Sequence, residues 1–444
     1  MSHRTPLDQS DLPDEWRSAF EWIERELGGH ITHAERQARW RPAWLIDLEH
    51  SDSGETLPLY FRGERGETDH GIYALEHEMR VLQVLAAHDI PVPRVYGFCP
   101  APRGIVMERC PGRANLATAK SRAEREAVLD DYMDILARIH KIDVAAFEAV
   151  GLEPPETPEE VALGDLDAFE RAYRRRKRRP EPAIEFLLGW VRRNVPRGRR
   201  RVSLICSDSG QFLFEKGRVT AVLDLELARL GDPVADLGGL PGRDLSEPLG
   251  DLTRAVRFYE SSIGQKIDRS LISFHTVRFN LITPLAVAHL VAEPMPDVDM
   301  VQYLTWYQVW SRSSLEIVAR RLAVPVDGPP SAEGAGSPDL TASEGDFAAY
   351  ERAVAERRAL YLDRHRQLSP QLDGDYLDDV APLLGRRPAT RADADAELEG
   401  VIAGAGPESD TELVALLHRR ALRDESILYP VMGELAGARM QQIR

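Results

Sequence analysis

Residues 205–236 read ICSDSGQFLFEKGRVTAVLDLELARLGDPVAD. Two runs of β-type residues, 211–215 and 218–223, flank Lys216-Gly217, a dipeptide of the kind that closes a two-residue hairpin. Asp208 stands just before the first strand and Asp224 just after the second, so a hairpin folding back on itself returns both carboxylates to one edge. Phosphoryl transfer uses such a pair. One carboxylate orients and deprotonates a hydroxyl, and the other holds the magnesium that bridges the phosphates.

The stretch resembles the catalytic hairpin of the aminoglycoside phosphotransferase (choline-kinase-like) family, within the protein-kinase-like superfamily, nearest the branch fused to acyl-CoA dehydrogenases. In that family a His-Gly-Asp triplet carries the catalytic Asp, an Asn follows, and an Asp-Trp-Glu triplet carries the metal Asp. This chain has Cys206-Ser207-Asp208, Gln211 and Asp224-Leu225-Glu226, then Leu230-Gly231-Asp232-Pro233 and Asp236-Leu237. The order and the downstream Gly-Asp-Pro match. The His, Gly and Asn are replaced, and the amide lies closer to the Asp than in the family. The resemblance spans roughly residues 20 to 320. It implies an α+β, bilobal protein-kinase-like fold, with ATP and Mg2+ as cofactors. It further implies Asp208 as the catalytic proton acceptor, with Asp224 and Gln211 as magnesium ligands.

Upstream of the hairpin, 15–28 place Trp16, Phe20, Ile23 and Leu27 at helical spacing before Gly28-Gly29. Strands are expected over 43–48 and 57–61, joined by the turn-rich 50–54. The segment from Gly28 to Arg41 falls where the family places a phosphate-covering loop, although it carries no GxGxxG, and an ordinary strand pair is the other reading. The family holds the nucleotide phosphates with a basic residue on the strand after this loop; the chain has five lysines and none before Lys120, so the resemblance implies Arg62, at the end of the strand over 57–61, in that place. A helix over 73–88 offers Glu78 as its ion-pair partner. After Pro91-Val92-Pro93, strands 95–99 and 104–108 lead to a stretch that resembles the inter-lobe hinge, where backbone groups around Met107 and Glu108 would pair with adenine.

Downstream of residue 116 the pattern is helical, beginning with an apolar stripe over 122–140. Thirteen basic residues lie between Arg171 and Arg201. A charge run is ordinarily a solvated face; in an acidic protein it is also a candidate entrance for an anionic acceptor. Helices over 252–263, 271–291 and 298–322 bring Phe274, His275, Phe279, Asn280, Tyr303, Trp306, Tyr307 and Trp310, whose first role is core and whose second is the wall of an acceptor pocket. The expected division is an N-terminal lobe at 1–110, a helical lobe with the hairpin at 111–324, a Pro/Gly/Ser/Ala linker at 325–343 and a separate helical tail at 344–444. The tail has no metal spacing and no catalytic cluster, so interaction with a protein partner or self-association is its expected role.

With 444 residues, 43% of them hydrophobic, the chain is long enough for two or three domains with a sizeable core. A net charge of −16 argues against general nucleic-acid binding. Cys99, Cys110 and Cys206 form neither an even framework nor a CxxC pair, so reduced packing thiols are expected. The N-terminal residues lack the apolar centre of a signal peptide and no membrane span is expected, which points to the cytoplasm. The function that follows is ATP- and magnesium-dependent phosphorylation of a hydroxyl on a small molecule, possibly anionic. The alternative is a catalytically impaired pseudokinase that serves as a nucleotide-binding or scaffolding module.

Overall fold

The computed structural model describes residues 14–37, 41–65, 71–293, 298–329 and 347–444, so 330–343 of the expected linker lie outside the described residues. A five-stranded antiparallel sheet forms the first lobe, in the order β1-β2-β3-β5-β4. Its strands are β1 (Gly29–Arg36), β2 (Ala43–His50), β3 (Thr56–Gly63), β4 (Val95–Pro100) and β5 (Arg103–Glu108). Helix α1 (Asp14–Leu27) lays Trp16, Phe20 and Ile23 on one face of this sheet against Trp44, Leu59 and Phe61. Trp44 takes Phe20 edge-on with ring centroids 5.3 Å apart, an arrangement that aromatic quadrupoles favour. Helix α2 (Leu75–Ala87) covers the other face with Leu75, Leu82 and Leu85. Within the segment compared with a phosphate-covering loop, residues 29–36 form a strand that pairs with β2. Ile31 and Ala34 are the buried positions of this strand.

The second lobe begins with α3 (Arg122–Ile139), capped by Ser121, whose hydroxyl accepts from Glu124 N. It continues through α4 (Val144–Glu148), α5 (Pro158–Leu163), α6 (Leu166–Arg176) and α7 (Pro182–Arg193). Two short strand pairs follow: β6 (Ser203–Ile205) with β9 (Arg229–Gly231), and β7 (Phe212–Glu215) with β8 (Arg218–Val222). The β7–β8 hairpin turns at Lys216 and Gly217, both with positive φ (51° and 78°), as a type I′ turn requires. Leu223 N donates to Gln211 O at 3.0 Å and closes its open end. Helices α8 (Val234–Ser246), α9 (Leu252–Ile263), α10 (Arg269–Ala292) and α11 (Met300–Arg321) complete this lobe. By length and composition α10 could cross a membrane, yet 83% of its apolar window is buried, as in a core helix.

The tail differs from expectation. Its residues form α12 (Phe347–Leu384), α13 (Arg391–Gly404) and α14 (Asp410–Leu428). Helix α12 runs unbroken through Pro370. Arg364 of α12 donates to Ile427 O and Ser426 O, so the helix is held from outside and tolerates the missing donor. Leu413, Val414, Leu416 and Leu417 of α14 bury themselves in one cluster with α7, α10 and α11. Arg312 of α11, fully buried, pairs with Glu425 of α14 and donates to Ala438 O at 2.8 Å. Beyond α14 the chain returns to the α8–α9 connection, where the Gln441 side chain accepts from Leu252 N (2.8 Å) and donates to Gly250 O (2.7 Å). Residues 347–444 are therefore built into the second lobe and not appended to it.

Candidate active site

The loop 206–211 is held from two sides. The buried carboxylate of Asp236, at the start of α8, accepts from Cys206 N (3.0 Å) and Ser207 N (2.8 Å), and His140 Nε2 lies 3.0 Å from it. Gly210 N donates to Tyr132 OH at 2.7 Å. Ser207 adopts φ 70°, a left-handed conformation that costs a serine more than the glycine usual in the family. Cys206 is buried, and burial together with Asp236 drives its thiol well above the usual range, which makes it a packing residue. The matching Gly-Asp-Pro is structural too. Asp232, fully buried, accepts from Arg199 Nε (2.6 Å) and from Val234 N (3.1 Å), which anchors α8.

Asp208 projects from this loop, and its Oδ2 accepts from Gln211 Nε2 at 2.9 Å and from Arg243 Nη2 at 2.5 Å. Burial raises the Asp208 carboxyl above the usual carboxylate range, against the pull of Arg243. Asp224, at the end of the hairpin, has φ 57°, which an Asp tolerates better than most residues. Its carboxylate takes Arg62 Nη2, while Arg62 Nε donates to Glu78 Oε2 at 2.7 Å. Glu78 Oε1 in turn accepts from Leu225 N at 3.2 Å, so α2 holds both the arginine and the turn that carries Asp224. Although burial acts against it, the Arg62 guanidinium is held well above its ordinary value by Asp224 and Glu78. Arg62 and Glu78 are thus paired as the sequence led us to expect.

Glu226 collects further arginines: Arg41 and Arg65 both bind its carboxylate, and Arg62 Nη2 lies 3.3 Å away. Burial and the neighbouring Arg62 lower Arg41 to about 10. Arg41, Arg65, Glu226 and Arg243 were not read as site residues from the sequence. The signal for Arg243 was there, a lone cation in the Gly- and Leu-rich run VADLGGLPGRDLS of α8.

Met107 is buried on β5, paired with Tyr60 of β3. Glu108 N donates to Arg94 O (2.8 Å) and Arg109 N to Pro58 O (3.0 Å). This narrows the expectation for adenine: the Glu108 amide is committed to the sheet, which leaves its carbonyl and the residues that follow.

Asp208, Gln211, Asp224 and Glu226 line one cavity of about 420 Å³, with Arg65, Arg243 and Glu247. Its far wall is apolar: Phe169, Phe279, Ile282, Val287, Trp306 and Trp310. Of the eight residues proposed for an acceptor wall, Phe279, Trp306 and Trp310 reach it, while His275 is fully buried against Asp232 and Asn280 against Met440. None of the residues from Arg171 to Arg201 lines the cavity. Arg174 pairs with Glu170 and Glu185, Lys177 with Glu185 and Glu399, Arg192 with Asp167 and Glu170, and Arg193 with Asp410. With Arg178, Arg179 and Arg199, seven of the thirteen are spent in ion pairs within the fold, so the run offers fewer free charges to an anionic acceptor than its length suggests.

The donor set is oxygen-rich and suits a hard divalent cation. Among the described residues no three His, Cys, Asp or Glu side chains gather into a metal cage. Magnesium is ordinarily held by one or two carboxylates together with substrate phosphates and needs no such cage.

Residues 72–263, from the approach to α2 through the end of α9, match the model of the phosphotransferase enzyme family. That match takes in the hairpin and Glu78; Arg62 lies outside it. The chain is 29% identical over 217 residues to acyl-CoA dehydrogenase family member 10 of Mus musculus, covering 43% of this chain and 20% of that protein. It is 26% identical over 181 residues to acyl-CoA dehydrogenase family member 11 of Homo sapiens, covering 37% and 22%. It therefore spans about a fifth of the length of these relatives. A structure from Ralstonia eutropha JMP134, provisionally assigned as an aminoglycoside phosphotransferase, superposes with a TM-score of 0.50 at 21% identity over 69% of this chain and 98% of that one. The two-lobed arrangement is accordingly a kinase-like fold with a C-terminal helical region.

Proposed function

From the phosphotransferase-family domain over residues 72–263, we propose that this chain transfers the terminal phosphoryl group of magnesium-bound ATP to a hydroxyl of a small molecule. The observation that carries the reading is the convergence of Asp208, Gln211 and Asp224 on one cavity, with the Arg62–Glu78 pair directly behind Asp224. Magnesium, held by Asp224 and the Gln211 amide oxygen, would neutralise phosphate charge. Asp208 orients the acceptor hydroxyl and takes its proton as the new O–P bond forms; the bond to the departing ADP breaks and carries its electron pair away. Arg62 holds phosphate oxygens through the guanidinium N–H groups that Glu78 does not take, and Glu78 keeps it aimed. Backbone groups around Met107 and Glu108, at the end of β5, receive the adenine. The apolar wall suits an acceptor with a hydrocarbon or aromatic body better than a polycation.

A scaffolding role has one observation in its favour, that both carboxylates are ion-paired, Asp208 with Arg243 and Asp224 with Arg62. The discriminating experiment compares wild type with Asp208→Asn and Asp224→Asn. Asp208→Asn should keep nucleotide binding and lose turnover by roughly a hundredfold to ten-thousandfold, or about 3–5 kcal/mol of barrier. Asp224→Asn should lose magnesium-dependent nucleotide binding itself. Identical behaviour of all three, with no phosphate transfer in a broad metabolite screen, would leave the scaffolding role standing.

A further inference from the structure

We infer that Arg243 is a positioning residue of the proposed transfer, which fixes the Asp208 carboxylate through Oδ2 and leaves Oδ1 to the acceptor hydroxyl. The inference rests on the phosphotransferase reading and deepens it. Both contacts that the loop and α8 make with this carboxylate fall on the same oxygen, Gln211 Nε2 at 2.9 Å and Arg243 Nη2 at 2.5 Å. A carboxylate gripped on one oxygen presents the other in a fixed direction, and transfer depends on that direction.

Arg243 is held in its turn. Its stem crosses the catalytic loop at Gly210, where φ is 95° and an added Cβ would meet Arg243 Cγ at 3.1 Å. Its Nη1 lies 3.6 Å from Glu247, one helical turn on. The backbone of the loop is already tied by Asp236 and Tyr132, so the Arg243 contact adds nothing to the path of the chain. It acts on the side chain of Asp208 alone.

Charge points the same way. Asp208, Asp224, Glu226 and Glu247 all line the cavity, and among the described residues Arg65 and Arg243 are the cations that line it with them. Arg62 answers Asp224, and Arg41 and Arg65 answer Glu226, so Arg243 is the cation that answers Asp208. Without it, the proton acceptor would be a carboxylate facing both its neighbours and the phosphates with no counter-charge, and would be pushed away from them. During transfer the hydroxyl proton passes to Oδ1, the hydroxyl oxygen bonds to phosphorus, and the electron pair of the broken O–P bond leaves on ADP.

The test uses the full chain as wild type, Arg243→Gln and Arg243→Lys. Binding of the non-hydrolysable nucleotide AMP-PNP with magnesium is measured by calorimetry, and magnesium-dependent ATP hydrolysis is measured with water as acceptor. Arg243→Gln should lower kcat on the order of a hundredfold, with the KM for ATP and the Kd for AMP-PNP within about threefold of wild type. Arg243→Lys, which keeps the charge and the stem, should recover at least about a tenth of the wild-type rate. Retained AMP-PNP binding also shows that each variant is folded. A glutamine variant as fast as wild type, a loss of kcat matched by an equal loss of nucleotide affinity, or a lysine variant no better than glutamine overturns the role of Arg243 alone. A wild type that binds no magnesium nucleotide overturns the phosphotransferase reading and this inference with it. A wild type that binds AMP-PNP but hydrolyses nothing removes the step Arg243 is said to serve.

Discussion

Arg62 and Glu78 form a buried ion pair, Nε to Oε2 at 2.7 Å, that ties strand β3 to helix α2 at the edge of the cavity. Both side chains are less than a tenth exposed, and the Glu78 carboxylate has Arg62 as its ion-pair partner. Removing one partner of such a pair strands the other in a poor solvent and typically costs 3–5 kcal/mol. Arg62→Ala should therefore lower stability by about that much in urea unfolding as well as weaken nucleotide binding. The double variant Arg62→Ala/Glu78→Leu should be more stable than Arg62→Ala, because the most deeply buried carboxylate that Arg62 answers, Glu78, is no longer left bare.

The second expectation concerns the tail. A chain ending at residue 324 loses Glu425 from the fully buried Arg312 and bares the apolar faces that α7, α10 and α11 present to α14. It should be insoluble, or unfolded by circular dichroism. In the full chain, Glu425→Gln should cost less, about 1–3 kcal/mol for the lost charged hydrogen bond, because Glu316 still answers Arg312 at 2.6 Å.

Asp236→Asn tests the staple under the catalytic loop. An amide offers one acceptor oxygen where the carboxylate receives Cys206 N, Ser207 N and His140. The loss should be roughly 1.5–3 kcal/mol of stability, with faster amide exchange at Cys206 and Ser207. A variant with unchanged exchange there would show that the loop holds itself.

A pH effect is expected at Glu260 on α9. Its carboxylate accepts from Arg269 Nη1 (2.7 Å), Ile267 N (2.8 Å) and Lys266 Nζ (3.1 Å). Burial alone would raise its pKa; these donors bring it down to about 2, from an ordinary 4.5. A carboxyl whose folded pKa is depressed contributes fully above its unfolded value and loses that contribution as pH falls toward the folded one. Glu260→Gln should thus be less stable than wild type at pH 7, with the gap closing between about pH 4.5 and pH 2 in parallel urea titrations.

What the sequence disclosed was whatever local order encodes. The hairpin around Lys216-Gly217 follows from a turn dipeptide between two β-runs, and the Arg62–Glu78 pair was expected from the family resemblance, with arginine standing where no lysine is available. What it concealed depends on contacts across the chain. Glu226 draws Arg41 and Arg65 from the first lobe, and Asp208 meets Arg243 only because α8 folds back over the loop. No spacing rule relates such partners. The tail misled for another reason: a Pro/Gly/Ser stretch announced a boundary, while the apolar stripe Leu413, Val414, Leu416 and Leu417 already demanded a surface to lie on.

The site is built on guanidinium groups throughout. Arg41, Arg62, Arg65 and Arg243 are its cations, and the chain's five lysines stand elsewhere in the sequence. An arginine stays charged and is not acylated under conditions that modify a primary amine. Acyl-phosphate nucleotide probes, which mark ordinary kinases by acylating the lysine beside the phosphates, would find no amine on any of these four side chains. In a proteome surveyed by such reagents this protein would go uncounted, whatever it does with nucleotide; dicarbonyl reagents, which condense with guanidinium groups, are the chemistry suited to reveal it.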